Sequence, residues 1–358
     1  MNEKMDMRLK RYLASMLLEK GVGSKAVEKF YANLIATWGE DIPEEIFREL
    51  GMKVSRELLD DLEKNDVKMI AMWEKDYPQQ LLNLHYPPVI LFCRGNTDLL
   101  ETAIYSIVGT RRITSYGKNL VRDVLKVNYP MVSKQVGGFA YLSGLAYGVD
   151  GEVHKLALEV GVPTIAVVAG GVDRGYPTRN RGLYQDIAKK GLVVGEFPPG
   201  REVVKGMFPM RNRIIAGLAR GVVVVESPAK GGSMITAKWA MEKGVNVYTF
   251  PGSVFRKTSE GCNQLIAQGV MPLLNRGDWL EVLGFQREGI LKDESCWLRE
   301  FLEGNDKEVF TLDELIDFAA GSESLNVDEI YSELTKYELE GILKRQNSNF
   351  TVNFNKEI

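Results

Sequence analysis

The 358-residue sequence contains only three cysteines and two histidines. The cysteines, Cys93, Cys262 and Cys296, are far apart, and neither His85 nor His154 has a cysteine close to it in the chain. This scarcity argues against a disulfide framework and against the usual spacings of metal ligands. The sequence also lacks an apolar run of the roughly 18 residues that span a bilayer, and its start, MNEKMDMRLK, lacks the apolar core of a signal peptide. We therefore expect a reduced, cytoplasmic protein without a structural metal or a membrane segment.

Two nucleotide-binding patterns are missing as well. The sequence has no G-x-x-x-x-G-K-[ST] loop. A loose match to G-x-G-x-x-G occurs at Gly21–Ala26, but a predicted helix precedes it where a dinucleotide fold requires a strand. A helix at 6–20, a Gly-x-Gly turn and a helix at Ala26–Thr37 instead indicate a helix-hairpin-helix. Such hairpins either grip a DNA backbone or only pack against the rest of a protein, and the negative charge of this segment favours packing.

Charge is unevenly distributed along the chain. Residues 1–84 carry a net charge of −3, residues 85–284 carry 24 Lys and Arg against 15 Asp and Glu, and residues 285–358 carry a net charge of −9. A basic middle between acidic ends suggests a polyanion site in the middle segment. Two other interpretations stay equally open on charge alone: the segments attract one another, or the charge is spread over a solvated surface.

The basic middle segment alternates short apolar runs with helical patterns. The runs are rich in β-branched residues and apolar on both faces, as parallel strands covered by helices must be. A first strand is predicted at Val89–Gly95, and the strands predicted to alternate with helices after it are Ile104–Val108, Phe139–Leu142, Thr164–Val168, Leu192–Val194, Val222–Val225 and Val245–Phe250. This alternation predicts an α/β fold with a doubly wound, mostly parallel sheet. Ligands of such sheets bind beyond the carboxyl ends of the strands.

Glycine together with a hydroxyl or a cation follows nearly every one of these strands. The loops include GTRR after Val108, SG after Leu142, GGVDRGYPTRN after Val168 and ESPAKGGS after Val225. Each loop alone is a weak signal, because glycine commonly ends strands. Since parallel strands end at the same edge of a sheet, the loops together predict an anion-binding edge.

The stretch Phe208–Thr236 concentrates these features. It begins with a predicted tight turn at Phe208-Pro209, continues with the basic cluster Arg211–Arg213, and after a strand starts a new helix near Ser233. The first N–H groups of a helix have no partner within it, and Gly231-Gly232 lets them come close to a ligand. We expect a phosphate here, either of a nucleotide or of a nucleic-acid backbone.

The last segment, residues 297–358, has helical patterns followed by a strand-like end at Phe350–Phe354. This order is the outline of a winged helix, whose recognition helix would be Thr335–Gly341. That helix carries two glutamates beside one lysine, and the segment as a whole is strongly acidic. We therefore expect this segment to contact protein rather than DNA.

The loops of the middle segment, in this order, resemble those of the DNA-processing protein A (DprA/Smf) family. The matching motifs are GTRR at Gly109–Arg112, SGLAYGVD at Ser143–Asp150, GGVDRGYPTRN at Gly170–Asn180, GEFPPG at Gly195–Gly200, FPMRNRIIAGLA at Phe208–Ala219, GGSMITA at Gly231–Ala237 and FPG at Phe250–Gly252. The resemblance implies an extended Rossmann-like, doubly wound and mostly parallel sheet. Together with the two ends of the chain it gives four predicted segments. These are a helical (helix-hairpin-helix or SAM-like) N-terminal domain at 1–84, a Rossmann-like DNA-binding domain at 85–284, a linker at 285–296 and a winged-helix-like domain at 297–358.

The resemblance also implies a function that needs no catalytic residue, cofactor or metal. The protein would bind and protect single-stranded DNA, associate as a homodimer, and load RecA recombinase onto incoming DNA during natural transformation. Arg111 and the Arg211–Arg213 cluster would contact phosphates, while Lys205 and Phe208 would supply a cation and an aromatic ring for a base. The Gly232-Ser233 turn would supply backbone donors and a hydroxyl. The complete DNA-binding set implied by these motifs is Gly109, Arg111, Arg112, Ser143, Gly144, Arg179, Lys205, Phe208, Arg211, Asn212, Arg213, Lys230, Gly232, Ser233 and Thr236.

Other assignments stay open at this point. A related family of nucleotide hydrolases resembles this one in fold and cleaves a base–ribose bond with a PGGxGTxxE loop. The sequence has no carboxylate at the glutamate position of that loop, and the nearest one, Glu242, lies further along the helix. The arginines could instead pair with Asp150, Asp173 or Glu226, and Phe208 could be a core residue.

Overall fold

The computed structural model describes most of the chain and divides it into two units. The described residues are 3–19, 22–39, 42–43, 46, 54–285, 301, 309–322, 330–331, 334–335, 337–338, 343–346 and 349–352. One compact unit comprises Met1–Leu274 and the other Asn275–Ile358. Within these described ranges, no helix is long and apolar enough to cross a membrane.

A nine-stranded sheet is the centre of the first unit. Its strands are β1 (Lys68–Ala71), β2 (Ile90–Gly95), β3 (Ala103–Val108), β4 (Phe139–Ser143), β5 (Thr164–Gly171), β6 (Leu192–Phe197), β7 (Gly221–Val224), β8 (Asn246–Thr249) and β9 (Met271–Pro272). They are arranged in the order β1-β2-β6-β5-β4-β3-β7-β8-β9. All neighbours from β6 to β9 are parallel, whereas β2 runs antiparallel to both β1 and β6. The prediction of an α/β fold with a mostly parallel sheet is therefore confirmed.

The sheet extends beyond the predicted strands at both edges. β1 lies in the segment predicted as a helical N-terminal domain, and it pairs with β2 through partners such as Ile70 and Leu91. β9, at the other edge, has two residues. β9 is too short to form a recognisable run. β1 begins with the exposed Lys68 and the half-buried Met69, so it lacks the continuous apolar run by which the other strands were predicted, and the sequence analysis missed both.

Helices connect the strands and cover the sheet. The first unit contains α1 (Glu3–Met16), α2 (Ser24–Trp38), α3 (Arg56–Lys64), α4 (Ser115–Asn119), α5 (Tyr129–Val136), α6 (Val149–Val160), α7 (Arg181–Lys190), α8 (Met207–Leu218), α9 (Gly232–Glu242) and α10 (Glu260–Ala267). Short 3₁₀ turns lie at Gln79–Leu81, Thr97–Glu101, Thr178–Asn180 and Lys257–Ser259, and a π-helical turn lies at Leu120–Val124.

Two apolar cores form because successive side chains of a strand point to opposite faces of the sheet. Along β2, Leu91 and Cys93 belong to one core, whereas Ile90 and Phe92 belong to the other. Helices α8, α9 and α10 contribute to the first core, and α1, α2, α3 and α7 contribute to the second. The N-terminal helices thus share a core with the sheet, and their assignment as a helix-hairpin-helix or SAM-like module stays a prediction.

The strand order reverses between β3 and β7. From β3 the chain adds β4, β5 and β6 on one side, and then returns to add β7, β8 and β9 on the other. Such a reversal opens a crevice at the carboxyl edge, where doubly wound sheets bind their ligands. Because Val108 pairs with Val224, the predicted phosphate loops Gly109–Arg112 and Ser227–Gly232 leave the sheet side by side.

The second unit contains α11 (Arg276–Val282), β10 (Val309–Thr311), α12 (Leu312–Ser322), β11 (Leu343–Gln346) and β12 (Asn349–Val352). Its three strands form an antiparallel sheet in the order β10-β12-β11. Phe310, Leu315 and Phe350 lie in its buried apolar core. Almost all of the predicted linker at 285–296, and much of the predicted recognition helix at 335–341, lie outside the described residues. The winged-helix assignment stays a prediction.

Candidate functional site

An open cleft of about 700 Å³ lies at the carboxyl edge of the sheet, beside the reversal between β3 and β7. Three parts of the chain contribute most of its lining: the loop after β3, the segment from Val203 into α8, and the first turn of α9. The predicted DNA-binding residues that line the cleft are Gly109, Arg111, Lys205, Phe208, Arg211, Asn212, Gly232, Ser233 and Thr236. The fold therefore brings together residues from separate sequence motifs.

Two aromatic rings and a guanidinium group lie together in the cleft. The ring centroids of Tyr176 and Phe208 are 5.6 Å apart, and the guanidinium carbon of Arg111 lies 5.2 Å from the centroid of Phe208. Tyr176 and Arg111 are exposed, while Phe208 is half-buried and also packs against an apolar core. Since a cation is attracted to the face of an aromatic ring, Phe208 holds Arg111 at a defined position in the cleft.

Tyr176 is a lining residue that the sequence analysis missed. It lies in the motif GGVDRGYPTRN after β5, between Arg174 and Arg179, and all three side chains are exposed. An aromatic residue between cations is typical of surfaces that bind single strands, and this signal could have identified it. Arg179 itself is exposed without lining the cleft, and the same is true of the predicted residues Arg112 and Lys230.

Helix α8 begins at Met207, so Phe208-Pro209 is not the predicted tight turn. Proline is tolerated in the first turn of a helix, where its missing N–H would have no partner within the helix. From Arg211 to Leu218 every residue of α8 is buried. The direction of each polar side chain therefore decides whether it reaches the cleft.

Arg211 lines the cleft and is bonded to the protein interior. Its guanidinium donates hydrogen bonds to the carbonyl oxygens of Gly144, at 2.6 Å, and Val167. Burial lowers the pKa of Arg211 to about 10, and the nearby carboxylate of Asp150 acts in the opposite direction. A Cβ at Gly144 would lie 2.4 Å from Nη1 of Arg211. Gly144 therefore provides space for the guanidinium, and Arg211 is a fixed charge at the base of the cleft.

The structure corrects the predictions for Arg213 and Ser143. Arg213 is completely buried and forms an ion pair with the buried carboxylate of Glu196. Residues two positions apart do not share a helix face, so Arg213 points away from the cleft that Arg211 lines. Ser143 is also buried, and its hydroxyl donates to the carbonyl oxygen of Ile107 at 2.6 Å. Neither side chain reaches the cleft.

The first turn of α9 presents backbone N–H groups to the cleft. Its N-cap, Gly231, has no side chain to accept their hydrogen bonds, and the space beside the Cα of Gly232 is open. The Asn212 amide donates to the carbonyl oxygen of Gly232 at 3.1 Å and holds this turn against α8. The Ser233 hydroxyl, predicted to face the ligand, is buried and donates to the Ser227 hydroxyl at 2.8 Å. The site therefore offers an uncapped helix N-terminus to an anion, without that hydroxyl.

Hydrogen bonds hold the loop after β3 against the loop after β7. The Glu226 carboxylate accepts bonds from the N–H of Thr114 at 2.9 Å and from its hydroxyl at 2.7 Å. The Thr110 N–H donates to the carbonyl oxygen of Glu226 at 2.7 Å. Gly148 packs against the same loop with a φ of +78°, and a Cβ there would lie 2.2 Å from the carbonyl oxygen of Thr110. A tightly packed loop therefore carries Arg111.

The cleft is lined by more positive than negative charge. Arg111, Lys205 and Arg211 line it, and among the described residues Asp150 is its single lining carboxylate. Asp150 accepts hydrogen bonds from two backbone N–H groups at 3.2 and 3.3 Å, and burial raises its pKa, an effect that Arg211 opposes. Glu242 is the carboxylate nearest in sequence to the position of the glutamate in the PGGxGTxxE loop of the nucleotide hydrolases. It is the last residue of α9 and does not line the cleft. The surface is therefore suited to a polyanion.

Residues 68–284 match the family model of DNA recombination-mediator protein A. Protein Smf of Synechocystis sp. is 37% identical over 232 residues, which cover 64% of this chain and 57% of that relative. DNA processing protein DprA of Streptococcus pneumoniae is 40% identical over 209 residues, which cover 58% of this chain and 72% of that protein. The match thus spans little more than half the length of the Synechocystis relative.

Two solved structures are similar to the structure described here. The X-ray structure of DNA processing protein A from Streptococcus pneumoniae has a TM-score of 0.62 and 31% identity, and the match covers 78% of this chain and 98% of that one. A structure of DNA processing protein A from Helicobacter pylori, reported for its single-stranded DNA binding mode, has a TM-score of 0.53 and 29% identity. That match covers 61% of this chain and 95% of the other. Both similarities extend over more than half of this chain.

Proposed function

The chain belongs to the DNA recombination-mediator protein A family, and we propose that it binds single-stranded DNA along the cleft at the carboxyl edge of its sheet. Phosphates of the strand would lie against Arg111, Lys205 and the uncapped N-terminus of α9. A base would stack on Phe208 or Tyr176. DNA processing in recombination would be the setting of this binding.

The observation that carries the proposal is the cluster of cations and aromatic rings in one open cleft. Arg111 lies over the ring of Phe208, Tyr176 lies beside it, and Lys205 lines the same cleft. Phosphate contacts give affinity without reading sequence, and an aromatic ring can stack on any base. The Helicobacter pylori relative, whose structure describes a single-stranded DNA binding mode, supports the same ligand.

Removing Phe208 or Arg111 should weaken the binding of single-stranded DNA by the full chain. Phe208→Ala removes a stacking surface worth about 1–3 kcal/mol per base, which raises Kd by about 5- to 150-fold. Arg111→Ala removes one phosphate contact, so the slope of log K against log salt should become shallower by about 0.7. Fluorescence anisotropy of a labelled thymidine oligonucleotide, repeated from low to high salt, measures both effects.

Lys190→Ala is the matched control for this experiment. Lys190 is exposed at the end of α7, which connects the carboxyl end of β5 to the start of β6, so the residue lies at the opposite edge of the sheet. Its loss should leave affinity and salt slope near the wild-type values. A duplex should bind more weakly than a single strand, because its bases are not free to stack. Wild-type binding of single strands by both Arg111→Ala and Phe208→Ala at every salt concentration would show that the site is wrong.

We also propose the wider role that the family resemblance implies. The protein would act as a cytoplasmic homodimer without cofactor or catalytic residue, protect incoming single strands, and load RecA recombinase onto them during natural transformation. This proposal includes three modules: a helix-hairpin-helix or SAM-like module at 1–84, a Rossmann-like module at 85–284 and a winged-helix-like module at 297–358. The chain should shorten the lag of the DNA-dependent ATPase of RecA on strands coated with single-strand-binding protein. An unchanged lag would contradict RecA loading.

A further inference from the structure

The turn after β8 exposes a large apolar surface that the cleft does not include. Phe255 is 95% exposed and Val254 is 78% exposed. Among the described residues, no other large apolar side chain is as exposed as either of them. Water around an exposed aromatic ring is unfavourable, and two such neighbours at the tip of one turn form a patch that another molecule can cover.

The base of this turn is held in place by hydrogen bonds. The Gly252 N–H donates to the Asn263 side chain at 3.1 Å, and the amide of Asn263 donates back to the carbonyl oxygen of Gly252 at 2.9 Å. The hydroxyl of Tyr116, on α4, donates to the carbonyl oxygen of Pro251. The turn is therefore anchored both to α10 and to the loop region after β3, and the exposure of its tip does not come from a loosely attached segment.

The tip of the turn combines an aromatic ring with positive charge. The Arg256 N–H donates to the carbonyl oxygen of Ser253 at 3.1 Å, which closes a β-turn with Val254-Phe255 at its centre. Arg256 and Lys257, which follow the ring directly, are both exposed. A ring flanked by cations can stack on a base while the cations contact the neighbouring phosphates.

The turn lies at the same edge of the sheet as the cleft. β8 is parallel to β7, so both strands end at this edge, roughly 5 Å apart. The Gly261 N–H, at the start of α10, donates to the carbonyl oxygen of Ser227 in the loop after β7 at 2.8 Å. The turn thus continues the edge beyond the first turn of α9, on the side away from β3.

We propose that Phe255 is a second stacking position for single-stranded DNA, which a strand reaches after it leaves the cleft, with Arg256 and Lys257 beside its phosphates. This inference rests on the proposed function and extends the same binding surface. The flanking cations favour a nucleic-acid strand as the occupant over a second copy of the chain. Because stacking tolerates any base, Phe255 should affect the length dependence of binding and not its sequence preference.

Oligonucleotide length separates this second position from the cleft. Phe255→Ala should weaken the binding of a strand of about 16 nucleotides by about tenfold. A strand of about 4 nucleotides occupies only the cleft, so Phe255→Ala should bind it with wild-type affinity. Phe255→Trp keeps an aromatic face and should restore the affinity for the longer strand. Val254→Ala is the matched control, because it removes an exposed apolar side chain without a ring from the same turn.

The outcomes distinguish this proposal from the function on which it rests. Wild-type affinity of Phe255→Ala for the longer strand, together with weakened binding by Phe208→Ala, would refute the second stacking position and leave the proposed function intact. Wild-type affinity of both variants at both lengths would refute the function as well. A third outcome is that Phe255→Ala and Val254→Ala, measured without DNA, differ from the wild type in sedimentation coefficient while their DNA affinity is unchanged. This result would show that the turn contacts another copy of the protein, and it would overturn the proposal.

Discussion

Replacing Arg213 by alanine is expected to lower the free energy of unfolding by about 3–5 kcal/mol. The variant would leave the carboxylate of Glu196, which is 3% exposed, buried without its partner. Arg213 also donates hydrogen bonds to the carbonyl oxygens of Tyr86, at 2.9 Å, and Met210, at 3.2 Å. One side chain therefore connects α8 to β6 and to the segment before β2. Urea unfolding followed by circular dichroism measures the loss.

Two further variants separate this structural role from a role in DNA binding. The double variant Arg213→Met/Glu196→Gln removes both charges from the interior and should recover most of the lost stability. Arg112→Ala removes an exposed arginine and should change the free energy of unfolding by no more than about 0.5 kcal/mol. Under conditions where Arg213→Ala is folded, it should bind single-stranded DNA as the wild type does. If Arg213→Ala weakens DNA binding and leaves the unfolding curve unchanged, Arg213 contacts DNA and its structural role is wrong.

Arg213 shows why the sequence could not tell which predicted residues line the cleft. In the motif FPMRNRIIAGLA, Arg211 and Arg213 form one basic cluster in the sequence, although in the structure one lines the cleft and the other is paired in the interior. A helix that is buried all round has no polar face, so the pattern does not show which arginine meets the ligand. The answer depends on how α8 is rotated against the sheet, and that is set by contacts between distant segments.

The strands were predictable because they are apolar runs buried on both faces. β4 and β6, for example, are buried at every position, and helical patterns separate them from the next strands. Parallel strands end at one edge whatever their order, so the loops with Gly109 and Gly232 could be placed together before the order was known. The order itself follows from packing between segments far apart in the chain, and the sequence pattern contains no record of it.

Two predicted serine hydroxyls are used inside the protein, whereas a predicted glycine marks a close contact. The hydroxyls of Ser143 and Ser233 donate to partners inside the protein, and the sequence gives no sign of those partners. A glycine, in contrast, often occurs where the structure leaves no room for a side chain. The guanidinium of Arg211 occupies the position where a Cβ of Gly144 would lie, so the motif of Gly144 lies next to the cleft although the residue itself does not line it.

His154 is an acid-sensitive point of the fold. It is completely buried on α6, and its Nδ1 lies 2.8 Å from the hydroxyl of Thr164, which itself donates to the carbonyl oxygen of Tyr141 at 3.2 Å. Because that hydroxyl hydrogen is used, Nδ1 is the donor to Thr164, and Nε2 has no hydrogen-bond partner among the residues that the structure describes. Burial lowers the pKa of His154 from 6.5 to about 3, and the charge of Arg211 acts in the same direction.

Acid should therefore destabilise the wild type more than it destabilises His154→Asn. Between the unfolded pKa of 6.5 and the folded pKa of about 3, the unfolded chain binds a proton at His154 that the folded chain does not. The free energy of unfolding then falls as the pH falls, by up to about 1.4 kcal/mol per pH unit. The stability difference between wild type and His154→Asn should shift by about 3 kcal/mol, against the wild type, from about pH 7 to about pH 4.

Urea unfolding curves recorded at several pH values for both proteins measure this shift, and comparing the proteins at each pH removes what their shared carboxylates contribute. Among those carboxylates is Asp150, whose pKa is raised by burial, so its own effect on stability has the opposite sign. His85→Asn is the matched control, because His85 is the other histidine of the chain and is exposed. The result for His85→Asn shows how much of the shift comes from the loss of any histidine. If the stabilities of the wild type and of His154→Asn fall in parallel as the pH falls, the prediction is wrong. The folded protein would then provide a hydrogen-bond acceptor for protonated His154, and the hydrogen bonds around Thr164 provide none.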